Sequence, residues 1–342
     1  MKFECYTNWD NLPESANALF EQSAKDNIFY SRPWFENLSA VLNGDNAMAL
    51  ACVVNGDTVL AILPLIKSTG KSWYSLKHRY TPHFSLLLAD ENKQQVLACL
   101  SIGLSQLPIS GLILEPVARD DTHLAGLAQA MEATGFECNY FFRHYNWIYR
   151  VHGQSYHDYI SARPARLRNT ISRKTRKLER DHGYEIHLYS GNEVPAAMPD
   201  YYAVYSASWK ANEQYVSFLN NVVTRFSKKD WSRLAILYIE GQPAAAQLWF
   251  VHHGKASIFR LSYDEAWKQY SVGSILTAFL MEYVIDTDKV KEIDFLTGND
   301  AYKQDWMSER RERYSLGCVK NAKPETWYER LFESLKRMLK PI

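Results

Sequence analysis

The sequence predicts an α/β chain made of two similar halves, each a mixed sheet flanked by helices. Three observations predict it. A length of 342 residues exceeds one ordinary domain, so two are expected. Residues 234–306 read as strand, turn, strand, strand, Gly-opened helix and strand, followed by a short polar signature. The same strand, Gly turn, strand order occurs earlier, where residues 48–66 match 233–251. The helix at 122–134 with its following strand is matched to the helix at 274–286 with Asp294-Phe295-Leu296. The halves are placed at 1–155 and 156–342.

The elements follow in order. Residues 16–24 and 31–42 carry helical patterns, and Ser31 with Pro33 marks a helix start. Residues 47–54 and 58–66 flank Asn55-Gly56-Asp57 as a hairpin. Strands are expected at 84–89, 111–114 and 136–142, and Leu124, Leu127, Ala128 and Met131 mark one helix face. A helix begins at Tyr201 and runs toward Trp209, and another covers 218–226. Strands at 234–239, 244–251 and 256–263 are separated by Glu240-Gly241-Gln242-Pro243 and a short turn. Ser271-Val272-Gly273-Ser274 opens an apolar helix at 275–284, and 292–296 is the next strand. The tail, 325–340, reads as a closing amphipathic helix with Trp327 and Leu331 on its apolar side.

Composition narrows the class. With 46% hydrophobic and 23% charged residues the chain is globular. A net charge of +1 gives no global attraction to nucleic acid, so any such attraction is local. No signal peptide is visible, and residues 94–114 split into helix and strand better than they form a membrane span. The five cysteines lack a Cys-x-x-Cys pair and read as free core thiols of a reducing cytoplasm. The expected location is cytoplasmic, with at most peripheral contact at the inner face of the membrane. Neither His-x-x-x-His nor Cys-x-x-Cys occurs, so no metal is expected, and Walker and Gly-x-Ser-x-Gly motifs are missing.

The most biased segment is 163–180, with eight basic residues and one acidic. After Pro164 it reads as a helix over 164–180 with Leu167, Ile171 and Leu178 on one side. It is either a solvated surface helix or an anion-binding one, and its partners would be a CoA phosphate, an acyl carrier protein, a tRNA end or anionic lipid. No aromatics interleave the basic residues, so base stacking is not indicated, and DNA is not an expected partner.

Several strings together resemble a known group. They are Ser208-Trp209-Lys210 with Glu213, Ala245-Ala246-Gln247-Leu248, Tyr263-Asp264-Glu265, Ser271-Val272-Gly273, and Asp294-Phe295-Leu296-Thr297-Gly298 followed by Tyr302-Lys303 and Trp306. The chain resembles the CelD/BioF2-like acetyltransferases, a FemAB-like branch of the GNAT superfamily. The resemblance implies two tandem GNAT domains and an acyltransferase with acyl-CoA or acetyl-CoA as co-substrate. The typical GNAT pyrophosphate loop is Gln/Arg-x-x-Gly-x-Gly/Ala, and here Lys268 to Gly273 keeps only the last Gly. FemAB-like relatives take aminoacyl-tRNA instead, and acyl carrier protein is a third donor.

A Gly loop opening a helix offers backbone N–H groups to a phosphate, so Ser271, Val272, Gly273, Ser274 and Ile275 are the expected cofactor contacts. Acyl transfer also needs a base, an oxyanion donor and an acid for the leaving group. Lys303 is assigned to the oxyanion, Tyr302 to the acid, and Asp294 or Glu213 to the base. Trp209, Lys210, Gln247, Tyr263, Asp264 and Trp306 are expected to meet substrate. The acceptor is an amino group of a sugar, amino acid or cell-envelope precursor. The alternatives are an aminoacyl-tRNA-dependent transferase and a non-catalytic accessory protein of polysaccharide biosynthesis.

Overall fold

The computed structural model describes residues 1–42, 47–67, 71–210 and 213–320. The expected helix at 325–340 lies outside them. In chain order the elements are β1 (Lys2–Tyr6), α1 (Ala16–Asp26), α2 (Arg32–Ser39), β2 (Ala47–Asn55), β3 (Thr58–Lys67), β4 (Ser72–Ser75), β5 (Leu87–Leu88), α3 (Lys93–Gln106), β6 (Gly111–Val117), α4 (Thr122–Glu132) and β7 (Phe136–Arg150). They continue as α5 (Tyr156–Ser161), α6 (Ala165–Asp181), β8 (Glu185–Ser190), α7 (Val194–Ser206), α8 (Val216–Ser227), β9 (Ser232–Ile239), β10 (Gln242–His252), β11 (Lys255–Tyr263), α9 (Val272–Glu282), β12 (Glu292–Thr297), α10 (Lys303–Trp306) and β13 (Glu309–Lys320).

The described residues divide into 1–144 with 312–320, and 145–311. Residues 312–320, most of β13, thus belong to the first unit. The reason is strand pairing. The first unit's sheet runs β1-β2-β3-β4-β6-β13, with β13 antiparallel to β6. The second runs β7-β12-β11-β10-β9-β8, with β7 antiparallel to β12. Each half hands its last strand to the other, which a reading that cuts the chain once does not anticipate.

Both units contain an antiparallel hairpin followed by a parallel pair joined through a helix. In the first these are β2–β3 and β4–α3–β6, and in the second β9–β10 and β11–α9–β12. The equivalent of α9 is thus α3, not the expected helix at 122–134. A parallel connection demands a crossover helix between the paired strands, and α4 instead follows β6. The expected strand at 84–89 shrinks to Leu87–Leu88, and Trp209 falls beyond the end of α7.

Local chemistry supports these elements. Ser31 caps α2 by accepting from the Trp34 N–H, and Asp121 caps α4 by accepting from His123 and Leu124. Helix α6 buries Leu167 and Leu178, with Ile171 packed beside them, against a core that includes Trp249, Leu276 and Leu280. Strand β10 alternates: Gln247 bonds to α9, while Phe250 packs edge-on against Phe226 of α8 at 4.7 Å. Cys138 and Cys318 form a disulfide, with Cα atoms 4.1 Å apart, which corrects the expectation of five free thiols. Among the described residues no helix is long and apolar enough to cross a membrane, and no cluster of three metal-ligating side chains occurs.

Candidate active site

The parallel pair β11–β12 builds the site. Its ladder covers only Lys255/Glu292, Ala256/Ile293 and Ser257/Asp294. Beyond it β11 continues to Tyr263 and β12 to Thr297, so the strands part toward their carboxyl ends. Ligands of α/β sheets sit at such carboxyl ends, where the crossover helix points its N-terminus. A bulge lies immediately above the fork. Ile258 faces Trp249 and Arg260 faces Leu248, so Phe259 is the extra residue. Bulges re-aim side chains. This one turns Arg260 toward α7 and the loop that follows it, where its Nη2 lies 3.3 Å from Glu213 Oε2.

Helix α9 opens at that same end. Ser271 adopts φ +54°, and its carbonyl accepts from Ser274 N and Ile275 N at 2.9 and 3.1 Å. The Val272 and Gly273 N–H groups belong to the first turn, which has no intrahelical acceptor for them. The Tyr263 ring lies so close over Gly273 that a Cβ there would sit 3.0 Å from its Cδ1. Trp209 stacks on Tyr263 with centroids 4.6 Å apart and stays 51% exposed. An aromatic pair therefore roofs the helix entrance. Helix α6 braces the loop before α9. Lys174 Nζ donates to the Gln269 carbonyl, and Tyr270 OH donates to Asp181 Oδ2, which also pairs with Lys177 at 2.7 Å.

Lys210 is the most perturbed amine of the site. Its Nζ donates to the Leu261 carbonyl and sits 5.2 Å from the Trp209 ring centroid and 5.5 Å from that of Tyr205. Burial first, and then the Arg260 charge, bring its pKa down to about 8, against the opposing pull of Glu213. Glu213 has only 2% of its side chain exposed and is held by Arg260 and by the Tyr215 N–H at 3.0 Å. It thereby anchors the loop after α7. Tyr201 is fully buried, and its hydroxyl has no hydrogen-bond partner among the described residues.

At the end of β12, Lys303 is 4% exposed. Its Nζ donates to Phe295 O at 3.0 Å and Thr297 O at 2.6 Å, with Asp300 at 3.6 Å. A Cβ on Gly298 would lie 3.1 Å from that ammonium, so the glycine makes room for it. Two of the three Lys303 protons are thus committed to the strand end that it clasps. Burial lowers its pKa, offset by Asp300 and Asp294. Asp294 Oδ1 accepts from Asn146 Nδ2 at 2.7 Å and Leu296 N at 2.6 Å, and thereby stabilises the bent strand end where Leu296 takes φ +51°. Tyr302 is 46% exposed, and its hydroxyl has a pKa raised to about 12 by desolvation and by Asp300. It is a proton donor at neutral pH.

Three expected substrate contacts are structural. Gln247 is fully buried. Its Nε2 donates to Gly273 O and Thr277 Oγ1, and its Oε1 accepts from Trp249 Nε1. Both ends of the amide are committed inside the core, where it fixes the helix entrance. Asp264 caps the turn that follows by accepting from Ala266 N at 2.9 Å. Trp306 is a core residue whose carbonyl accepts from Tyr159 OH at 2.8 Å. The structure thus brings together the α9 entrance, Trp209, Lys210, Glu213 and Tyr263, and separately groups Asp294, Tyr302 and Lys303 at the end of β12. Sequence reading missed Arg260 and Asn146. Arg260 carried a signal, since it is the one charge inside the apolar run 256–263.

Residues 165–304 match the family described as acetyltransferase (GNAT) domain. No curated protein sequence matches the chain. Among solved structures, FemX superposes with a TM-score of 0.65 at 10% identity, covering 93% of this chain and 98% of its own. The C-terminal domain of a lysylphosphatidylglycerol synthetase from Agrobacterium fabrum gives 0.55 at 13%, covering 90% and 93%. L-PGS from Bacillus licheniformis gives 0.53 at 13%, covering 81% and 86%. Residues 165–304 thus match a GNAT acetyltransferase domain family, within a chain that shares the fold of FemX.

Proposed function

We propose that the protein is an N-acyltransferase that moves an acyl group from acyl-CoA or a related thioester to an amino group of a sugar, amino acid or cell-envelope precursor. One observation carries this reading: β11 and β12 part just beyond a bulge, and the N-terminus of α9 opens at the same end. The first-turn amides of α9 suit the donor's phosphate, and the fork suits its acyl arm. Lys210, with a pKa near 8, is the group that takes the proton from the incoming ammonium. The amine nitrogen then attacks the carbonyl carbon, the carbon–sulfur bond breaks, Tyr302 protonates the leaving thiolate, and the second proton released by the attacking nitrogen returns to the Tyr302 phenolate through solvent. Trp209 and Tyr263 form the wall against which the substrate rests. The reaction belongs on the cytoplasmic side, with peripheral membrane contact for a lipid-borne acceptor.

The donor screen is the test. A thioester at 100 times its Kd adds about 2.7 kcal/mol of stability, which a melting assay resolves. Acetyl-CoA, longer acyl-CoAs and an acylated carrier protein form the first set, with label transfer to glucosamine and to lysine as the readout. No stabilisation and no transfer with any donor would leave the accessory role in polysaccharide biosynthesis standing instead.

A second reading, transfer from aminoacyl-tRNA, draws on the basic helix α6. Lys174 reaches the loop at the α9 entrance, so a polyanion held on α6 would lie beside the fork. The name of one neighbour, a lysylphosphatidylglycerol synthetase, makes aminoacyl transfer the natural second trial. Binding of tRNA that weakens steeply with salt supports it, and no binding at low salt removes it.

A further inference from the structure

The second unit holds a cleft of about 660 Å³ that the reaction above does not use. It lies beyond the far end of α9, whose 11 residues separate it from the helix entrance by roughly 16 Å at 1.5 Å per residue. Its size falls in the range of small-molecule sites, about 300–1,000 Å³. Val151, Ile285 and Val290 supply an apolar floor, each nearly fully buried. One wall is the turn Val151–Gln154, closed by Gln154 N donating to Val151 O at 3.1 Å, with His152 and Gly153 both at positive φ. The other is a single π-helical turn, Tyr283–Thr287, a feature that recurs at functional sites.

The charges on this cleft are unbalanced. Arg150 is spent on Glu309 at 3.0 Å and Glu292 at 3.8 Å. Asp286 accepts from the Tyr156 N–H at 3.0 Å. Lys289 and Lys291 also line the cleft, and neither ammonium has an acidic partner among the described residues. Two carbonyls at the helix end already have backbone donors. Asp288 N donates to Tyr283 O and Val290 N to Val284 O. The Lys291 stem rests on Gly254, within van der Waals reach of a Cβ placed there, so its ammonium is directed rather than free to wander. With the Asp286 carboxylate set against one of the two lysines, the cleft keeps a net positive charge over an apolar floor, which suits an anion attached to an apolar or flat body.

We propose that this cleft is a second ligand site for a phosphate ester, with the phosphate on Lys289 and Lys291 and the organic portion on Val151, Ile285 and Val290. The ester is a soluble nucleotide-sized molecule or a lipid headgroup, and the two arms of the test separate these. Calorimetry at low salt uses ADP with the full-length protein and with the K289E/K291E variant, whose melting temperature confirms folding. Vesicles of phosphatidylglycerol and of phosphatidylcholine form the other arm. A soluble ligand site predicts ADP binding that falls at least tenfold in the variant. A headgroup site predicts retention on phosphatidylglycerol vesicles only, lost in the variant. ADP binding and vesicle retention that are unchanged by K289E/K291E would place the phosphate elsewhere, including at the donor fork, and overturn the proposal. So would the absence of both at low salt.

Discussion

The two parallel pairs of this chain start alike and end differently. In the first unit β4 and β6 pair over Ser72/Gly111, Trp73/Leu112 and Tyr74/Ile113, and then part, as β11 and β12 do. The first fork is stitched shut. Ser75 Oγ donates to Glu115 O at 2.8 Å and accepts from Glu115 N at 3.1 Å. The Glu115 carboxylate, 1% exposed, takes Lys77 at 2.6 Å, Arg143 at 3.3 Å and the Ser315 hydroxyl. In the second unit Asp294 and Leu296 are only half-buried, and Thr297 is exposed. Duplicating a fold therefore does not duplicate its chemistry. One fork is closed by an ion-pair network around a buried carboxylate, and the other stays open to solvent.

Breaking the stitched fork has the largest expected effect. Glu115→Gln leaves two half-buried cations without their carboxylate and costs about 1.5–3 kcal/mol in urea unfolding. Its pH dependence has a definite sign. Burial raises the Glu115 pKa, but Lys77 and Arg143 outweigh it and hold it below the ordinary carboxylate value of 4.5. The stabilisation is thus full above that unfolded value and is lost as pH falls through the lower folded one. The gap between wild type and variant should close in strongly acid solution, and a gap that persists would deny the carboxylate its role.

Changes at the second fork should spare stability more than turnover. Gly273→Ala pushes a methyl to 3.0 Å from Tyr263 and displaces the helix entrance, so donor kcat/KM should drop about 10–100-fold. A smaller and more specific effect is expected for Lys210→Met. The wild-type rate should rise through about pH 8 as Lys210 loses its proton, and the variant should lack that limb. Glu213→Gln should move the limb rather than erase it, since Glu213 acts on Lys210 through charge. The mildest change is Trp209→Ala. The side chain is half-exposed, so melting should shift by no more than about 0.5 kcal/mol. The acceptor KM should rise several-fold if the indole is a wall of the site, and an unchanged KM would remove it.

Much of this was legible in residue pattern. Alternation and Gly turns placed the β9–β10 hairpin, and Leu167, Ile171 and Leu178 gave the packed side of α6. The misreadings share a cause. A polar residue in an apolar strand looks functional until its partners are known, and Gln247 proves to be filled by Gly273, Thr277 and Trp249. The burial of Lys303 was not legible, because the carbonyls of Phe295 and Thr297 that it meets at the strand end are invisible in one dimension. Arg260 was passed over because its orientation depends on a bulge that only the pairing with β10 defines.

The order of residues by itself determined the elements, the twofold repetition and the glycine at the mouth of α9, because backbone preference and burial periodicity act over a few neighbouring positions. The tertiary structure alone decided which fork stays accessible, which strands the two halves exchange, and which polar groups remain for a ligand. Those outcomes depend on hydrogen bonds and ion pairs between residues as far apart as Glu115 and Ser315, and local sequence carries no record of such distances.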